Sequence, residues 1–355
     1  MTDEPRDPVR VLVVDDSVVV RLLLGEVIAE QQDLRLVGVA PNGAAGLDRI
    51  AALKPDVVVL DVEMPDMSGL EVLAALRQQR LRVPVVMFST LTARGASATV
   101  EALTLGASDY VTKPSTGSRE QSLATLREEL VPKLLALGRR RPAGAVVRTV
   151  PVQRRSAPPS LVVIGVSTGG PNALADVVAD LPADLAVPVV IVQHMPATFT
   201  TMLAARLDRC GPLPVREAQG GEVLRPGEVW LAPGGHHVRV EGDSSSSRLV
   251  LDDGPPENSC RPAVDVLFRS AAETHGGRTL AVVLTGMGKD GFAGAQLVRD
   301  AGGQVLAQDE PSSVVWGMPR FVVEGGLADA VLPLGEVAGE IAARAGARRP
   351  GLARR

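Results

Sequence analysis

What most constrains the fold of this 355-residue chain is a recurring unit: a short, almost wholly apolar run rich in Val that halts at a polar residue. VRVLVV halts at Asp15, VVVL at Asp61, VVMF at Ser89, LVVIGV at Ser167 and VPVVIVQ at His194. A strand with one wet face alternates apolar and polar residues. A strand buried on both faces does not, and such strands belong mostly to parallel sheets covered by helices. The pattern predicts strands at Val9–Val14, Leu36–Ala40, Val57–Leu60, Val85–Ser89 and Tyr110–Thr112, with helices near 18–31, 43–53, 69–80 and 94–105. A second set is predicted at Leu161–Gly165, Val187–Gln193, Glu228–Ala232, Leu280–Thr285 and Gln304–Ala307. Its helices fall at about 171–180, 198–208, 263–274 and 291–300, and a β-rich insertion lies around 213–252. Both halves therefore read as doubly wound α/β domains, with ligands expected at the carboxyl ends of the strands.

Charge divides the chain the same way. Residues 1–130 carry net −6, residues 131–160 net +7 and residues 161–355 net −5. The basic stretch is rich in Arg, Pro and Gly and reads as a linker over 131–159. It separates a first domain, 1–130, from a second, 160–348, with a short basic tail at 349–355. Ser244–Ser247 reads as an exposed turn. No apolar run reaches membrane-spanning length and the N-terminus is polar, so neither membrane insertion nor a signal peptide is expected. Aromatics at 2% argue against base-stacking surfaces for nucleic acid. Two cysteines, Cys210 and Cys260, build neither a disulfide framework nor a cysteine-based zinc site, and a reducing cytoplasm fits them best.

In the first domain, Asp15 and Asp16 follow the first strand, Asp61 the third, Ser89 closes the fourth and Lys113 follows the fifth. In a parallel sheet these groups meet at one edge. Three carboxylates repel one another unless a cation lies between them, and Mg²⁺ suits carboxylate oxygens. With Lys113 as a fixed positive charge and Ser89 as a hydroxyl donor, the set can stabilise a transferring phosphoryl group, with Asp61 as acceptor. Strand-end acids that merely reach solvent are the plainer reading of any one of these residues. As a set, VLVVDDS, VVVLDVEMPDMSGLEVL, PVVMFST and GASDYVTKP resemble response-regulator receiver domains over about 9–115. The resemblance implies a flavodoxin-like five-stranded parallel sheet, Asp61 as phosphoacceptor, and Asp15 and Asp16 as Mg²⁺ ligands beside the Glu63 backbone carbonyl. It also implies Ser89, Tyr110 and Lys113 as switch residues, and a histidine kinase as phosphodonor.

In the second domain, SLVVIGVSTGGPNAL is a strand, a small-residue turn and a helix start, with Ser167 in the turn. Ser167 can stand there as a nucleophile, the turn can cradle a phosphate, or the serine can simply cap the helix. His194 after VPVVIVQ reads as a base or as a structural histidine, and Asp290 in TGMGKDG as an acid or a helix cap. Taken together, the three follow apolar strands and share one rim, where His194 can take the Ser167 proton and Asp290 can orient His194. His236, His237 and His275 lie in poorer settings.

GVSTGGPNAL, VIVQHMPATFT, DGPPENSCRPAVDVLF, LTGMGKDG and GMPR resemble the catalytic domain of the chemotaxis receptor methylesterase family, CheB, over roughly 160–340. With the receiver, the resemblance spans most of the chain. It implies a phosphorylation-activated enzyme that hydrolyses glutamate γ-methyl esters of methyl-accepting chemoreceptors and deamidates selected glutamines, without a cofactor for the esterase. Ser167, His194 and Asp290 would act as the triad, and Thr168 and Met287 would support the oxyanion. The unphosphorylated receiver would cover the esterase cleft. Cys260 is expected near the active-site mouth, as a small packing residue or as a reactive thiol. Two rival readings keep the fold: a non-flagellar chemosensory pathway, and a binding module with an inactive site. A DNA-binding regulator fits poorly with an acidic second half.

Overall fold

The computed structural model describes residues 7–114, 118–139 and 157–346. The chain divides into two compact units, Met1–Arg141 and Pro142–Arg355.

The first unit runs β1 (Val9–Val14), α1 (Val18–Ala29), β2 (Leu34–Ala40), α2 (Gly43–Leu53), β3 (Val57–Asp61), α3 (Gly69–Gln78), β4 (Val85–Ser89), α4 (Ala93–Thr104), β5 (Asp109–Thr112) and α5 (Arg119–Gly138). Its five strands are parallel in the order β2-β1-β3-β4-β5. β3 and β4 are buried at every residue, as two-sided cover requires. Helices α1, α2 and α4 begin at Ser17, Asn42 and Thr92, whose side chains accept from backbone N–H groups of the first turn. Ser68–Glu71 and Ser118–Gln121 form capping boxes for α3 and α5.

One boundary differs from the sequence reading. Residues 131–138, assigned to the linker, continue α5. The basic and Pro-rich surroundings hid a helical stripe: Leu123, Leu126, Leu130, Val131, Leu134 and Leu137 are all buried. Pro132 sits inside the helix at the cost of one hydrogen bond, which packing against the sheet offsets. Residues 140–156 of the expected linker, the last two of the expected second domain and the whole expected tail, 349–355, lie outside the described residues.

The second unit begins with β6 (Leu161–Val166), α6 (Gly170–Asp180), β7 (Val189–Gln193), α7 (Ala197–Leu207), β8 (Val215–Glu217) and β9 (Val229–Leu231). A hairpin follows, β10 (His237–Asp243) and β11 (Ser246–Asp252), then α8 (Val264–His275), β12 (Thr279–Val283), α9 (Phe292–Asp300) and β13 (Gln304–Gln308). α10 (Met318–Glu324), β14 (Ala330–Leu332) and α11 (Leu334–Arg344) complete it. Seven parallel strands form one sheet in the order β14-β13-β12-β6-β7-β9-β8. The β10–β11 hairpin is antiparallel and lies at the end of the expected β-rich insertion, whose other strands, β8 and β9, extend the parallel sheet. The turn expected at Ser244–Ser247 is shorter than predicted: Ser247 is buried in β11 and its Oγ meets His275 Nε2 at 3.1 Å. β6 lies between β12 and β7, so its carboxyl end is a topological switch point, where open α/β sheets form crevices.

Candidate functional site

The acidic pocket of the first unit forms where the sheet edge converges. Asp15 and Asp61 are buried, Asp16 is exposed, and each offers an oxygen within 4.8 Å of the others. Lys113 Nζ lies 3.0 Å from Asp15 Oδ2 and 2.8 Å from Asp61 Oδ2. Burial pushes the Asp61 carboxyl up to about 6; Lys113 pulls the other way and the Asp15 charge adds to the rise. Lys113 stays charged: burial opposes its charge, but Asp61 and Asp15 hold its pKa above the usual lysine value. One ammonium among three carboxylates leaves a negative, all-oxygen pocket, which is the donor set Mg²⁺ takes. Glu63 N–H donates to Asp61 Oδ1 at 3.3 Å, and the exposed Glu63 carboxylate pairs with Arg94 at 3.2 Å. Ser89 Oγ is turned to the first turn of α4, donating to Gly95 O at 3.1 Å. Tyr110 is buried, and burial, then Asp109 and Glu129, push its phenol pKa well above the ordinary value.

Sequence reasoning missed Lys133, because it placed that residue in the linker. Lys133 Nζ reaches back from α5 to the Tyr110 carbonyl at 2.6 Å and to Asp109 at 3.3 Å, and lies 5.2 Å from the Tyr110 ring centre. The ring that should move with the switch is thus clamped by a cation on the last helix.

In the second unit, Ser167 directly follows β6. Its N–H donates to Thr285 O at 3.0 Å, and its carbonyl accepts from Gly170 N–H at 2.8 Å, closing the turn into α6. Gly169 holds φ 77°, in the left-handed region that a side chain would strain. Gly286 is needed for a different reason: a Cβ there would lie 2.4 Å from Met318 Sδ and 2.9 Å from Ser167 Cβ. The strand ends therefore approach closely only because Gly286 has no side chain.

His194 follows β7, next to β6, and its N–H donates to Val166 O at 3.2 Å. Gln193, buried at the end of β7, donates from Nε2 to both the Ser167 and His194 carbonyls at 3.1 Å. One amide thus locks the two turns together. Asp290, in the loop between β12 and α9, is also buried. His194 Nε2 and Asp290 Oδ2 are 2.7 Å apart. Asp290 Oδ2 also accepts from Val264 N–H at 2.7 Å; Oδ1 accepts from Asp265 N–H at 3.0 Å, Gly291 N–H at 2.9 Å and Asn258 Nδ2 at 3.0 Å. Burial alone would raise the Asp290 carboxyl, but His194 and these donors bring it below the usual value. Burial likewise opposes the His194 charge, yet hydrogen bonds to Asp290 and Cys260 raise its pKa to about 9. Among the described residues, no hydrogen bond joins Ser167 Oγ to the His194 ring. The two are linked through Gln193 and the β6–β7 register.

Thr168 is buried and its carbonyl accepts from Thr285 Oγ1 at 2.9 Å. Met287 is half-buried after Gly286, whose carbonyl accepts from Met318 N–H at 2.8 Å. Cys260 stands beside the imidazole: its Sγ, a His194 nitrogen and an Asp290 oxygen lie within 4.8 Å of one another. Asn258 was missed by sequence reading; it is a loop residue with no periodic signature, yet it bridges Asp290 and Asp265.

Known proteins resemble both units. A response regulator receiver domain model matches residues 11–124 and a CheB methylesterase model residues 162–341. A protein-glutamate methylesterase/protein-glutamine glutaminase of Nocardioides is 51% identical over 97% of this chain and 97% of its own length. One from Trichodesmium erythraeum is 47% identical over 95% of this chain and 99% of its own. The crystal structure of the Thermotoga maritima CheB methylesterase catalytic domain aligns with a TM-score of 0.51 and 45% identity, over 52% of this chain and 97% of that domain. With a receiver ahead of a methylesterase domain, and relatives that match from end to end, this chain belongs to the CheB family of response-regulator protein-glutamate methylesterases/protein-glutamine glutaminases.

Proposed function

We propose that Ser167 is the nucleophile of the methylesterase, with His194 as general base and Asp290 as the group that orients it. The observation that carries this reading is the 2.7 Å His194–Asp290 pair, set beside the Ser167 turn at the switch point of the sheet. With Nε2–H donated to Asp290, Nδ1 holds the lone pair and takes the Ser167 proton as substrate closes the gap; such contacts often tighten only in the Michaelis complex. Ser167 Oγ attacks the γ-carbonyl carbon of a glutamate methyl ester. Backbone N–H groups of the 167–170 turn and of Met287 receive the oxyanion, and Thr168 supports that turn. The intermediate collapses, His194 returns the proton, and methanol leaves. Water then attacks the acyl-enzyme by the same route, freeing glutamate. With a glutamine substrate, ammonia is the leaving group.

In the receiver, Asp61 accepts the phosphoryl group from a histidine kinase. Asp15, Asp16, Asp61 and the Glu63 carbonyl would hold Mg²⁺, which when bound neutralises charge between carboxylates and phosphoryl oxygens. Lys113 pairs the phosphoryl group, while Ser89 and Tyr110 shift with it, and the esterase output rises. The substrates are the cytoplasmic parts of methyl-accepting chemoreceptors, so the protein works in the cytoplasm. Consistent with this, no helix among the described residues is long and apolar enough to cross a membrane.

The test is methanol release from methylated receptor membranes by wild type and Ser167→Ala, each with and without Mg²⁺ and a small phosphodonor. Loss of a triad nucleophile lowers the rate on the order of 10⁴–10⁶. Release that persists in Ser167→Ala would overturn the assignment.

A further inference from the structure

The geometry points to a soft divalent-cation site of the zinc class at Cys260, His194 and Asp290, where the ion silences the esterase by occupying its base. This site is an inhibitory one, separate from the reaction itself and from the Mg²⁺ pocket of the receiver. Three donor atoms from three segments converge: the end of β7, the loop between β11 and α8, and the loop between β12 and α9. All lie within 4.8 Å of one another.

The donor set decides the metal. Sulfur, imidazole nitrogen and carboxylate oxygen suit zinc and its soft neighbours, whereas Mg²⁺ demands oxygen alone. Tetrahedral zinc, with bonds of about 2.0–2.3 Å, sets its ligands roughly 3.3–3.6 Å apart. For an ion taken between His194 Nε2 and Asp290 Oδ2, that contact, now 2.7 Å, must widen by about 0.6 Å, while the sulfur closes in from within the 4.8 Å that bounds the cluster. Side-chain adjustment suffices for both. Binding releases two protons to buffer, the Cys260 thiol proton and the one between His194 and Asp290, so His194 keeps its proton on Nδ1 and has no lone pair left for Ser167. Asp290 keeps its other donors, Val264, Asp265, Gly291 and Asn258, so the carboxylate stays anchored as it changes partner.

Cys260 is held in place for this role. Glu257 and Cys260 exchange backbone hydrogen bonds at 3.1 and 2.9 Å, Asn258 is tied to Asp265 and Asp290, and Arg269 grips the Glu257 carboxylate at 2.9 and 3.1 Å. A braced loop loses little freedom when the metal binds, which is what makes a three-ligand site tight. The fourth position is left for water. The other cysteine differs: Cys210 Sγ donates to the Arg206 carbonyl at 3.3 Å, and it belongs to neither of the two clusters of metal-binding side chains among the described residues.

The silencing rests on the methylesterase reading; the site itself does not, and the experiment separates the two. The full chain is freed of metal with a chelator and titrated with Co²⁺ as a spectroscopic stand-in. A thiolate-to-cobalt charge-transfer band in the near ultraviolet is expected. Zn²⁺ displaces it, excess Mg²⁺ does not, Cys260→Ser abolishes it and Cys210→Ser keeps it. In unaltered protein, Zn²⁺ protects Cys260 but not Cys210 from iodoacetamide, read by peptide mass spectrometry; this holds whether or not a variant folds. Zn²⁺ stops methanol release reversibly, and in Cys260→Ser the concentration for half-inhibition, against that variant's own metal-free rate, rises about tenfold or more. The proposal is overturned by no band in wild type, by an equal band in Cys260→Ser, or by equal alkylation of Cys260 with and without Zn²⁺. A Cys260-dependent band in a protein that releases no methanol even without metal supports the site and overturns the esterase reading.

Discussion

His194 carries two opposite consequences of one pKa. Its ordinary value is 6.5 and in the fold it rises to about 9, through bonds to Asp290 and Cys260 that outweigh burial. As a base it must be neutral, so kcat/KM for methanol release should climb with pH up to about 9. The ion pair acts the other way on stability. A histidine raised on folding stabilises fully below its unfolded value and loses that contribution as pH rises through its folded value. Between 6.5 and about 9, activity should therefore rise while the His194 contribution to stability falls. Because Cys260 helps hold the charge, Cys260→Ser should move the acid limb of the rate profile downwards; an unmoved limb would mean the thiol does not act on the imidazole. Ser167, His194 and Asp290 were all legible from the sequence, since each interrupts or follows an apolar strand. Gln193 and Asn258 were not. Their work is done by side-chain amides bridging atoms that only the fold brings together: Ser167 O with His194 O, and Asp290 with Asp265.

Among elements, the buried strands were the most readable, because two-sided burial leaves only Val, Leu and Ile. β1 and β4 were predicted at their observed bounds, and the other predicted strands differ by a residue or two at one or both ends. Short or amphipathic elements read less well. β14 has three residues, and α10 and α11 lie in a Gly-rich C-terminal stretch where no helix was predicted. α5 was not among the predicted helices, and its end was assigned to the linker on a local signal, the basic Pro/Arg composition, which masked a stripe with helical spacing. That correction has a direct test. Leu134 is fully buried, so Leu134→Ala should destabilise the first unit by about 2–5 kcal/mol in urea unfolding, the cost of a core truncation. A position on a solvated linker would change by less than about 0.5 kcal/mol. Lys133, one residue away, ties α5 to the Tyr110 carbonyl and to buried Asp109, beside the ring proposed to shift on phosphorylation.

At the scale of the whole molecule, the chain joins two units whose perturbed groups titrate in different pH windows, Asp61 at about 6 and His194 at about 9. In the first unit, the Asp61 carboxyl moves from an ordinary 3.8 to about 6 because it is buried near Asp15. A carboxyl raised on folding favours the fold most below its unfolded value, and that contribution is lost as pH rises through its folded one. Above about 6 the first unit therefore carries two buried carboxylates against a single lysine, and Mg²⁺ held there, as proposed, would relieve them. Calorimetry of the intact chain should then show two transitions. Mg²⁺ should raise that of the first unit by several degrees at pH 7.5, by much less at pH 5 where protons compete for Asp61, and leave the second unchanged. Asp61→Asn should raise the same transition at pH 7.5 without Mg²⁺ and weaken the response to the ion, because the repulsion it relieves is gone. If Mg²⁺ moved both transitions equally, or acted as strongly at pH 5, the acidic pocket would not be the point of binding. On the proposed function, Asp61 is the carboxylate that is costly to keep charged, and the phosphoryl group and metal that would satisfy it are the species through which a kinase signal would reach the esterase.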